Sequence, residues 1–340
     1  MSTQTFGLGS RLGYFWDRLR GFNAASLWDR ASAVATAHHR SRVVVLVDML
    51  WSAGFRDTPF QDYVDWDFAM LTRAERASFM THAISNHLSM TYDQAEYRLI
   101  FQDKIEFNRA FDSLLGRRWL DVRESSPGVL QEFVRSSGTV MAKIPVSTSG
   151  HGVERYQAKD IDDWPAFHAE LVRKGQVLVE EYISQHPLLA GYCAGTVNTT
   201  RVTTFFDGNS AHILSMAQKF GRGAASDQQT FGGFYTMLDL DGAAMGPGYD
   251  SHGSVHARHP DSGVSIADFR LPKMAELRTF IDAVCRVVPQ VQYVGWDVVI
   301  GEEGPVLVEG NWGAGVYENK PSVTGIRTGS LPRFREVIGF

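Results

Sequence analysis

Two apolar segments near the end of the chain, residues 293–300 and 306–311, constrain the fold most, because Gly-Glu-Glu-Gly-Pro separates them. Their β-branched residues and the glycine-bearing connection predict a β-hairpin. A five-residue turn centred on Glu303 places Asp297 directly opposite Glu309. The pattern therefore predicts an antiparallel strand pair that carries two facing carboxylates.

The spacing of the polar residues in this hairpin predicts a magnesium site. Side chains two apart in a strand point the same way, so Glu309 and Asn311 share a face with Asp297. Facing carboxylates repel unless a cation or a proton lies between them, and Mg²⁺ prefers carboxylate and amide oxygens together with substrate phosphates. Gly295, opposite Asn311, leaves room for phosphates. The alternative is a solvated polar face whose apolar reverse is formed by Val294, Trp296, Val298, Val306 and Val308.

A lysine in an apolar strand predicts a phosphate contact upstream. Residues 139–144 read as a strand with Lys143 in it, and a buried ammonium group is costly without an anion. A hydroxyl- and glycine-rich loop follows at residues 147–152. The backbone N–H groups of Ser149, Gly150 and Gly152 could close over a polyphosphate, although most such loops only connect elements.

Two further segments suit a nucleotide. Lys104 lies in the first turn of a predicted helix capped by Asp103, where a cation opposes the helix dipole unless an anion is near. A solvated surface lysine is the alternative. The predicted strand at 176–183 could offer backbone groups to an adenine edge, or could be an exposed strand end. Its candidate hinge residues are Glu180, Glu181, Tyr182 and Ile183.

Two other clusters have open interpretations. Lys219 and Arg222 follow a predicted strand and could bind an acceptor carboxylate or a developing acyl phosphate, or could be solvated. His252, His256 and His259 lie in one irregular loop, which suits a substrate lid better than a zinc site, because zinc ligands need a fixed scaffold.

Composition excludes several classes of protein. The net charge of -5 comes from interspersed acids and bases, so no nucleic-acid or membrane partner is expected. The two cysteines have no disulfide or zinc spacing, and no apolar run approaches the ~20 residues of a membrane span. We expect a cytoplasmic protein. Its first ~95 residues read as helical, with a capping box at Thr72 and Glu75 and a helical pattern that continues through Ile84.

Taken in order, these segments resemble the ATP-grasp superfamily. Five motifs resemble more narrowly its sugar-transfer-associated family, which is related to α-L-glutamate ligases. They are the Asn-Thr-Thr-Arg strand at 198–201, Asp227 with the later Gly232-Gly233, His-Pro-Asp-Ser-Gly at 259–263, Gly-Trp-Asp at 295–297 and Glu-Gly-Asn at 309–311.

The resemblance implies an α+β ATP-grasp fold of two lobes that clasp ATP: a helical region at 1–95, an N-terminal lobe at 96–183 and a C-terminal lobe at 184–340. It implies that Lys104 and Lys143 contact phosphates, that residues 180–183 form the adenine hinge, and that Arg201 stabilises the transferred phosphoryl group. Asp297, Glu309 and Asn311 would hold one or two Mg²⁺ ions. Thr199 stands where many relatives have a ribose-binding acid, and Asp227-Gln228 replaces an Asp-Asn pair.

The implied reaction is phosphorylation of a carboxylate by MgATP, followed by attack of an amine to give an amide, ADP and phosphate. The substrates would be small molecules such as amino acids or sugar acids, in polysaccharide or secondary metabolism. Two alternatives stay open: a phosphotransferase that acts on a hydroxyl, and a nucleotide-binding regulatory protein without turnover. The sequence does not indicate an oligomeric state.

Overall fold

A computed structural model describes residues 24–147, 150–250 and 253–340. The chain divides into two compact units: the residues up to Leu88 together with Gly315–Phe340, and Ser89–Ala314. The boundaries predicted at 95/96 and 183/184 stay a prediction. No helix among the described residues is long and apolar enough to cross a membrane.

The first unit is helical. Its helices are α1 (Ala24–Ala37), α2 (Arg42–Phe55), α3 (Phe60–Asp65), α4 (Arg73–Arg76), the start of α5 (His82–Tyr92) and, by the numbering of the whole chain, α12 (Pro321–Thr324) and α13 (Leu331–Ile338). Its core contains Met49, Tyr63, Trp66, Phe68 and Phe79.

The predicted capping box is confirmed, but the helix that follows it is shorter than predicted. Thr72 Oγ1 accepts from the Glu75 backbone N–H, and Glu75 accepts from the Thr72 backbone N–H. Helix α4 nevertheless ends at Arg76. A second helix begins at His82, where Thr81 Oγ1 accepts from the Ile84 N–H at 3.2 Å. The apolar pattern at 79–84 therefore spans a helix end and a new helix start.

The second unit contains two antiparallel sheets, and this mixed architecture confirms the predicted α+β class. The smaller sheet has the order β1-β4-β2-β3. Its strands are β1 (Trp119–Asp121), β2 (Thr139–Lys143), β3 (Val153–Gln157) and β4 (Leu178–Glu181). Two helices, α8 (Pro127–Ser137) and α9 (Trp164–Lys174), contribute Leu130, Val134 and Leu171 to the core that this sheet shares.

The larger sheet has the order β11-β10-β5-β6-β7-β8-β9. Its strands are β5 (Thr200–Phe206), β6 (Ala211–Phe220), β7 (Phe234–Leu238), β8 (Gly248–Tyr249), β9 (Val255–His256), β10 (Tyr293–Ile300) and β11 (Pro305–Asn311). The remaining helices are α6 (Arg98–Gln102), α7 (Lys104–Phe111), α10 (Pro187–Tyr192) and α11 (Met274–Cys285). One apolar cluster joins this sheet to α7, α10 and α11.

Candidate active site

The β10–β11 hairpin has the predicted pairing at its polar end. Asp297 lies opposite Glu309, and Gly295 lies opposite Asn311. The solvated alternative does not describe Asp297, which is only 2% exposed. The space beside Gly295 is used by the protein itself, because a Cβ atom there would come within 3.3 Å of Arg201 Nη1 and of the Ala314 side chain.

A β-bulge at Val308 corrects the rest of the predicted hairpin. Val298 pairs with Leu307 and Ile300 with Pro305, so the turn has four residues rather than five. Leu307 belongs to the core with Val298, whereas Val306 packs near Gly116 and Gly301. The prediction that Val306 and Val308 complete the apolar face is therefore wrong. The extra residue changes the alternation, so Leu307 faces the core while Glu309 faces Asp297.

Strands β5 and β6 bring two cations to Asp297. Arg201 pairs with Asp297 across β5 and β10. Its Nε donates to Asp297 Oδ1 at 2.7 Å and its Nη2 to Oδ2 at 3.2 Å, while Lys219 Nζ donates to Oδ2 at 3.1 Å. Burial would raise the pKa of Asp297, but the charges of Arg201 and Lys219 outweigh burial and hold that pKa well below its usual range. Lys219 is 3% exposed, so it is a buried site residue and not a solvated strand end.

Glu309 has the opposite electrostatic environment. Burial, followed by the charge of Asp297, raises the pKa of Glu309, although Lys219, Lys104 and Arg201 act in the other direction. Asn311 Nδ2 donates to the Gly295 carbonyl at 3.2 Å and lies 3.5 Å from Glu309 Oε1. The facing carboxylates thus offer oxygen atoms that a proton or a hard cation can bind. Among the described residues, no three His, Cys, Asp or Glu side chains group into a metal site, so the predicted set of two carboxylates and one amide stays a prediction.

Asp227 is a site residue that the sequence prediction did not assign to the site. Its Oδ2 accepts from the Thr199 backbone N–H at 2.8 Å and from Thr199 Oγ1 at 2.5 Å, and its Oδ1 lies 3.5 Å from Lys219 Nζ. Thr199, predicted at the ribose position, therefore hydrogen-bonds a carboxylate. The available signal was the match of Asp227 to a family motif, but the sequence did not show which strand it contacts.

In the smaller sheet, the partly buried Lys143 forms an ion pair with the buried carboxylate of Glu180. Arg117 Nη2 also donates to Glu180 Oε1 at 2.6 Å, and Asn108 Nδ2 donates to the same oxygen at 2.7 Å. Burial would raise the pKa of Glu180, but Arg117 and Lys143 lower it to about 2. Sequence reasoning missed Arg117 and Asn108, because neither lies in a strand that alternates with Glu180. The adenine hinge stays a prediction.

Lys104 supports the entry to the glycine loop. Asp103 caps α7 as predicted, because its side chain accepts from the Ile105 and Glu106 N–H groups. Lys104 Nζ donates to the Ser147 carbonyl at 2.7 Å and lies 3.2 Å from Ser147 Oγ. Burial lowers the pKa of Lys104, while Glu309 raises it and Lys143 lowers it further. Lys104 thus interacts electrostatically with Glu309 of the larger sheet and with Lys143 of the smaller sheet.

The glycine loop itself is described only in part, since Thr148 and Ser149 lie outside the described residues. Gly150 and Gly152 have positive φ angles of 74° and 71°, which suit glycine. A Cβ atom on Gly150 would lie 2.9 Å from the Phe231 ring. Gly150 therefore lies against the segment at 226–231, which contains Asp227.

The other predicted hinge residues, Glu181, Tyr182 and Ile183, lie at the end of β4 and directly after it. Glu181 pairs with Arg118, and the Arg155 guanidinium lies 5.8 Å from the Tyr182 ring. Ile183 follows β4.

Arg222 follows β6, whereas His256 lies in β9, so the prediction that the histidine candidates share one irregular loop is wrong at His256. Arg222 makes a two-point ion pair with Asp261, at 3.0 and 2.7 Å, on the surface. His259 is buried with Nε2 2.9 Å from the Gly221 carbonyl, which indicates a structural role for its ring. His256 packs on Phe234, and His252 lies outside the described residues.

Residues 167–326 match the family model described as sugar-transfer associated ATP-grasp. The predicted resemblance to the ATP-grasp superfamily is confirmed. This ATP-grasp segment contains Arg201, Lys219, Asp297, Glu309 and Asn311, but not the two lysines of the smaller sheet and α7. No curated protein sequence matches the chain.

Solved structures of ATP-grasp ligases share a distant likeness with the chain. D-alanyl-alanine synthetase A from Vibrio cholerae is 14% identical, with a TM-score of 0.39, 71% of this chain covered and 61% of that one. The ATP-grasp ligase PsnB in complex with precursor peptide PsnA2 and AMPPNP is 10% identical, with a TM-score of 0.41 and 76% and 66% covered. D-alanine–D-alanine ligase from Bacillus anthracis is 15% identical, with a TM-score of 0.39 and 75% and 70% covered. The chain thus spans 61% and 66% of the first two, and likeness at this level does not assign a function.

Proposed function

We propose that the protein is an ATP-dependent carboxylate–amine ligase that activates a carboxylate with MgATP and forms an amide. The observation that carries this proposal is the opposition of Asp297 and Glu309 across β10 and β11, surrounded by Arg201, Lys219 and Lys104. Such a cluster suits a phosphoryl transfer, whose catalysis is mostly positioning and electrostatic stabilisation.

The donor chemistry of the cluster fits magnesium. Asp297, Glu309 and Asn311 would hold the ion, which supplies charge neutralisation on the transferred phosphate when it is bound. Arg201, fixed by Asp297, would stabilise the charge on the phosphoryl oxygens. Lys143, fixed by Glu180, and Lys104, fixed by Ser147, would contact phosphates from the smaller sheet and α7.

The proposed chemistry has two steps. A substrate carboxylate oxygen attacks the γ-phosphorus, and the bond to the β-phosphate oxygen breaks to release ADP. An amine then attacks the acyl carbon, phosphate leaves, and the amine loses its proton. Because water would hydrolyse the acyl phosphate, we propose that the glycine loop, whose Gly150 lies beside Phe231, helps to exclude it.

Calorimetric titration of MgATP tests the nucleotide site. We expect magnesium-dependent binding by the wild type and a loss of at least about tenfold in affinity for Glu309→Ala, because one metal ligand is removed. Glu303→Ala, in the exposed turn of the same hairpin, is the matched control and should bind like the wild type. Magnesium-independent binding, or equal binding by all three proteins, contradicts the proposed site.

Product analysis then separates the reactions that share this nucleotide site. A ligase forms ADP, phosphate and a new amide only when carboxylate and amine are both present. A phosphate ester as product would identify a phosphotransferase, and binding without ADP formation across a panel of amino acids and sugar acids would favour the regulatory alternative.

A further inference from the structure

We propose that the exposed face of helix α2 binds a second copy of this chain, so that the protein is a homodimer in which the two α2 helices pack antiparallel across a twofold axis. This face, the α2 stripe, is formed by Val43, Val44, Val47, Trp51 and Phe55. Such a dimer lies in the helical unit and is independent of the reaction proposed above.

Helix α2 is apolar on two sides. One side belongs to the helical unit itself, where Val45, Met49 and Ser52 are buried. The other side is the α2 stripe, whose five residues are 52–60% exposed. The polar residues of this helix are Arg42, Asp48 and Ser52, too few to form a polar face towards solvent. Because a helix that is apolar all round is normally buried, the stripe indicates a binding surface.

The stripe has the size of a protein interface. The Trp51 and Phe55 rings already pack together, with centroids 4.3 Å apart. Helices α1 and α2 share a core and are joined by the short connection at 38–41, so they run antiparallel and Trp28, 42% exposed, lies level with Trp51. The stripe and Trp28 expose roughly 600 Å² of apolar surface, most of the ~800 Å² that each partner contributes to a standard interface.

A twofold axis across the middle of the stripe matches the stripe to itself. In a twofold dimer the same surface of both copies forms the interface, so the pairing must be reciprocal. An axis between Val47 and Trp51 pairs these two residues across the interface, and it pairs Val43 with Phe55. Each aromatic ring then meets a valine of the second copy, which combines large side chains with smaller ones.

The charges at the two ends of α2 suit the same arrangement. Arg40 and Arg42 are exposed where the helix begins, and Asp57 is exposed just after it ends. Antiparallel packing brings Asp57 next to Arg40 and Arg42 of the second copy, whereas Arg56 interacts electrostatically with Asp48 of its own helix. An anionic membrane would attract the arginines but repel Asp57, so the mixture of charges favours a second copy over a lipid surface.

Sedimentation velocity of the full chain tests this dimer. We expect dimers at micromolar concentrations, and at least about tenfold weaker association for Val47→Glu, because its carboxylate would be buried in the interface. Val172→Glu changes an exposed valine of α9 and is the matched control, which should dimerise like the wild type. Far-UV circular dichroism checks that both variants are folded.

Cysteine cross-linking tests the antiparallel pairing without a charged variant. In a Cys193→Ser background, the Val43→Cys and Phe55→Cys proteins are treated with a short bismaleimide reagent, alone and mixed. We expect cross-linked dimers in the mixture and few in either protein alone, because antiparallel packing keeps like positions about 18 Å apart along the helices. Cross-linking decides if Val47→Glu does not fold.

Three results overturn the proposal: a wild type that stays monomeric, a folded Val47→Glu that dimerises like the wild type, or equal cross-linking in the mixture and in the single variants. A monomeric wild type that binds phosphatidylserine vesicles through the stripe would assign this face to a lipid surface. A monomer that does not bind them would assign the face to another partner or to residues outside the described ranges.

Discussion

At the scale of single residues, several buried charged groups of the second unit form ion pairs that share a partner. Glu180 is the most enclosed of these, with Arg117, Lys143 and Asn108 around a carboxylate that is 1% exposed. Removing one partner of such a group leaves the others buried and uncompensated, which costs more than the pair itself contributes.

Glu180→Gln should therefore destabilise the protein by about 3–5 kcal/mol in urea unfolding at pH 7. The pKa of Glu180 is lowered to about 2 in the fold. A lowered pKa contributes stability above the unfolded value of about 4.3, and that stability is lost as the pH falls towards 2. The difference between wild type and variant should shrink over this range.

The neighbouring Glu181→Gln is the matched control. Glu181 lies in the same strand, but its partner Arg118 is more than half exposed, so the loss should be at most about 1 kcal/mol. Equal losses in the two variants would contradict the special role of the Glu180 cluster.

The site could be predicted from the sequence where it follows strand alternation. Asp297, Glu309 and Asn311 were predicted to share a face because residues two apart in a strand point the same way. The contacts of Asp227 with Thr199 and of Arg117 with Glu180 were not predictable, because loops and segments far apart in the sequence supply those partners.

At the scale of elements, the hairpin keeps its polar and apolar faces apart by two local devices. The bulge at Val308 changes the alternation of β11, and Gly310 makes room for the buried indole of Trp296. The sequence predicted both strands but not the bulge, since a bulge has no composition signal in the apolar stretch Val306-Leu307-Val308. The pairing of Asp297 with Glu309 came out correctly because the shorter turn and the bulge compensate.

Gly310→Ala should destabilise the protein by about 1–3 kcal/mol. Its new Cβ atom would lie 2.6 Å from Trp296 Cζ3 and 2.9 Å from Phe101 Cε1, so the core must shift. Thermal unfolding measures the loss. Gly313→Ala, three residues later, is the control, because a Cβ atom there meets nothing within 4 Å. Similar melting temperatures for the two variants would show that the indole can move at little cost.

At the scale of the whole molecule, the helical unit is assembled from both ends of the chain. Glu318 accepts from the Met80 N–H at 2.8 Å and from the Ser330 N–H and hydroxyl, and Arg327 makes a two-point ion pair with Glu75. Sequence pattern carries no information about such returning contacts, so the sequence did not predict them.

The wild-type protein should lose about 3 kcal/mol of stability from Glu318 as the pH rises from about 4 to 7. Burial raises the pKa of Glu318 to about 7. The folded state therefore binds a proton that the unfolded state has already released above about pH 4.3, and folding is favoured at the acidic end. Urea unfolding at several pH values measures the slope.

Glu318→Gln should lack this part of the slope. Burial also raises the pKa of Asp93 to about 7, so the wild type and the variant share that contribution and their difference isolates Glu318. Parallel pH profiles for the two proteins would contradict the assignment.

The return of residues 315–340 to the helical unit also determines the order of events during synthesis. The ribosome produces residues 89–314 in full before it produces Glu318 and Arg327, which complete the helical unit that began the chain. The second unit, although later in the sequence, is therefore the first whose contacts can all form. Until then the early helices lack the contacts of Glu318 and Arg327 and the packing of Val316 against their core, so their apolar surface is exposed to aggregation for longer.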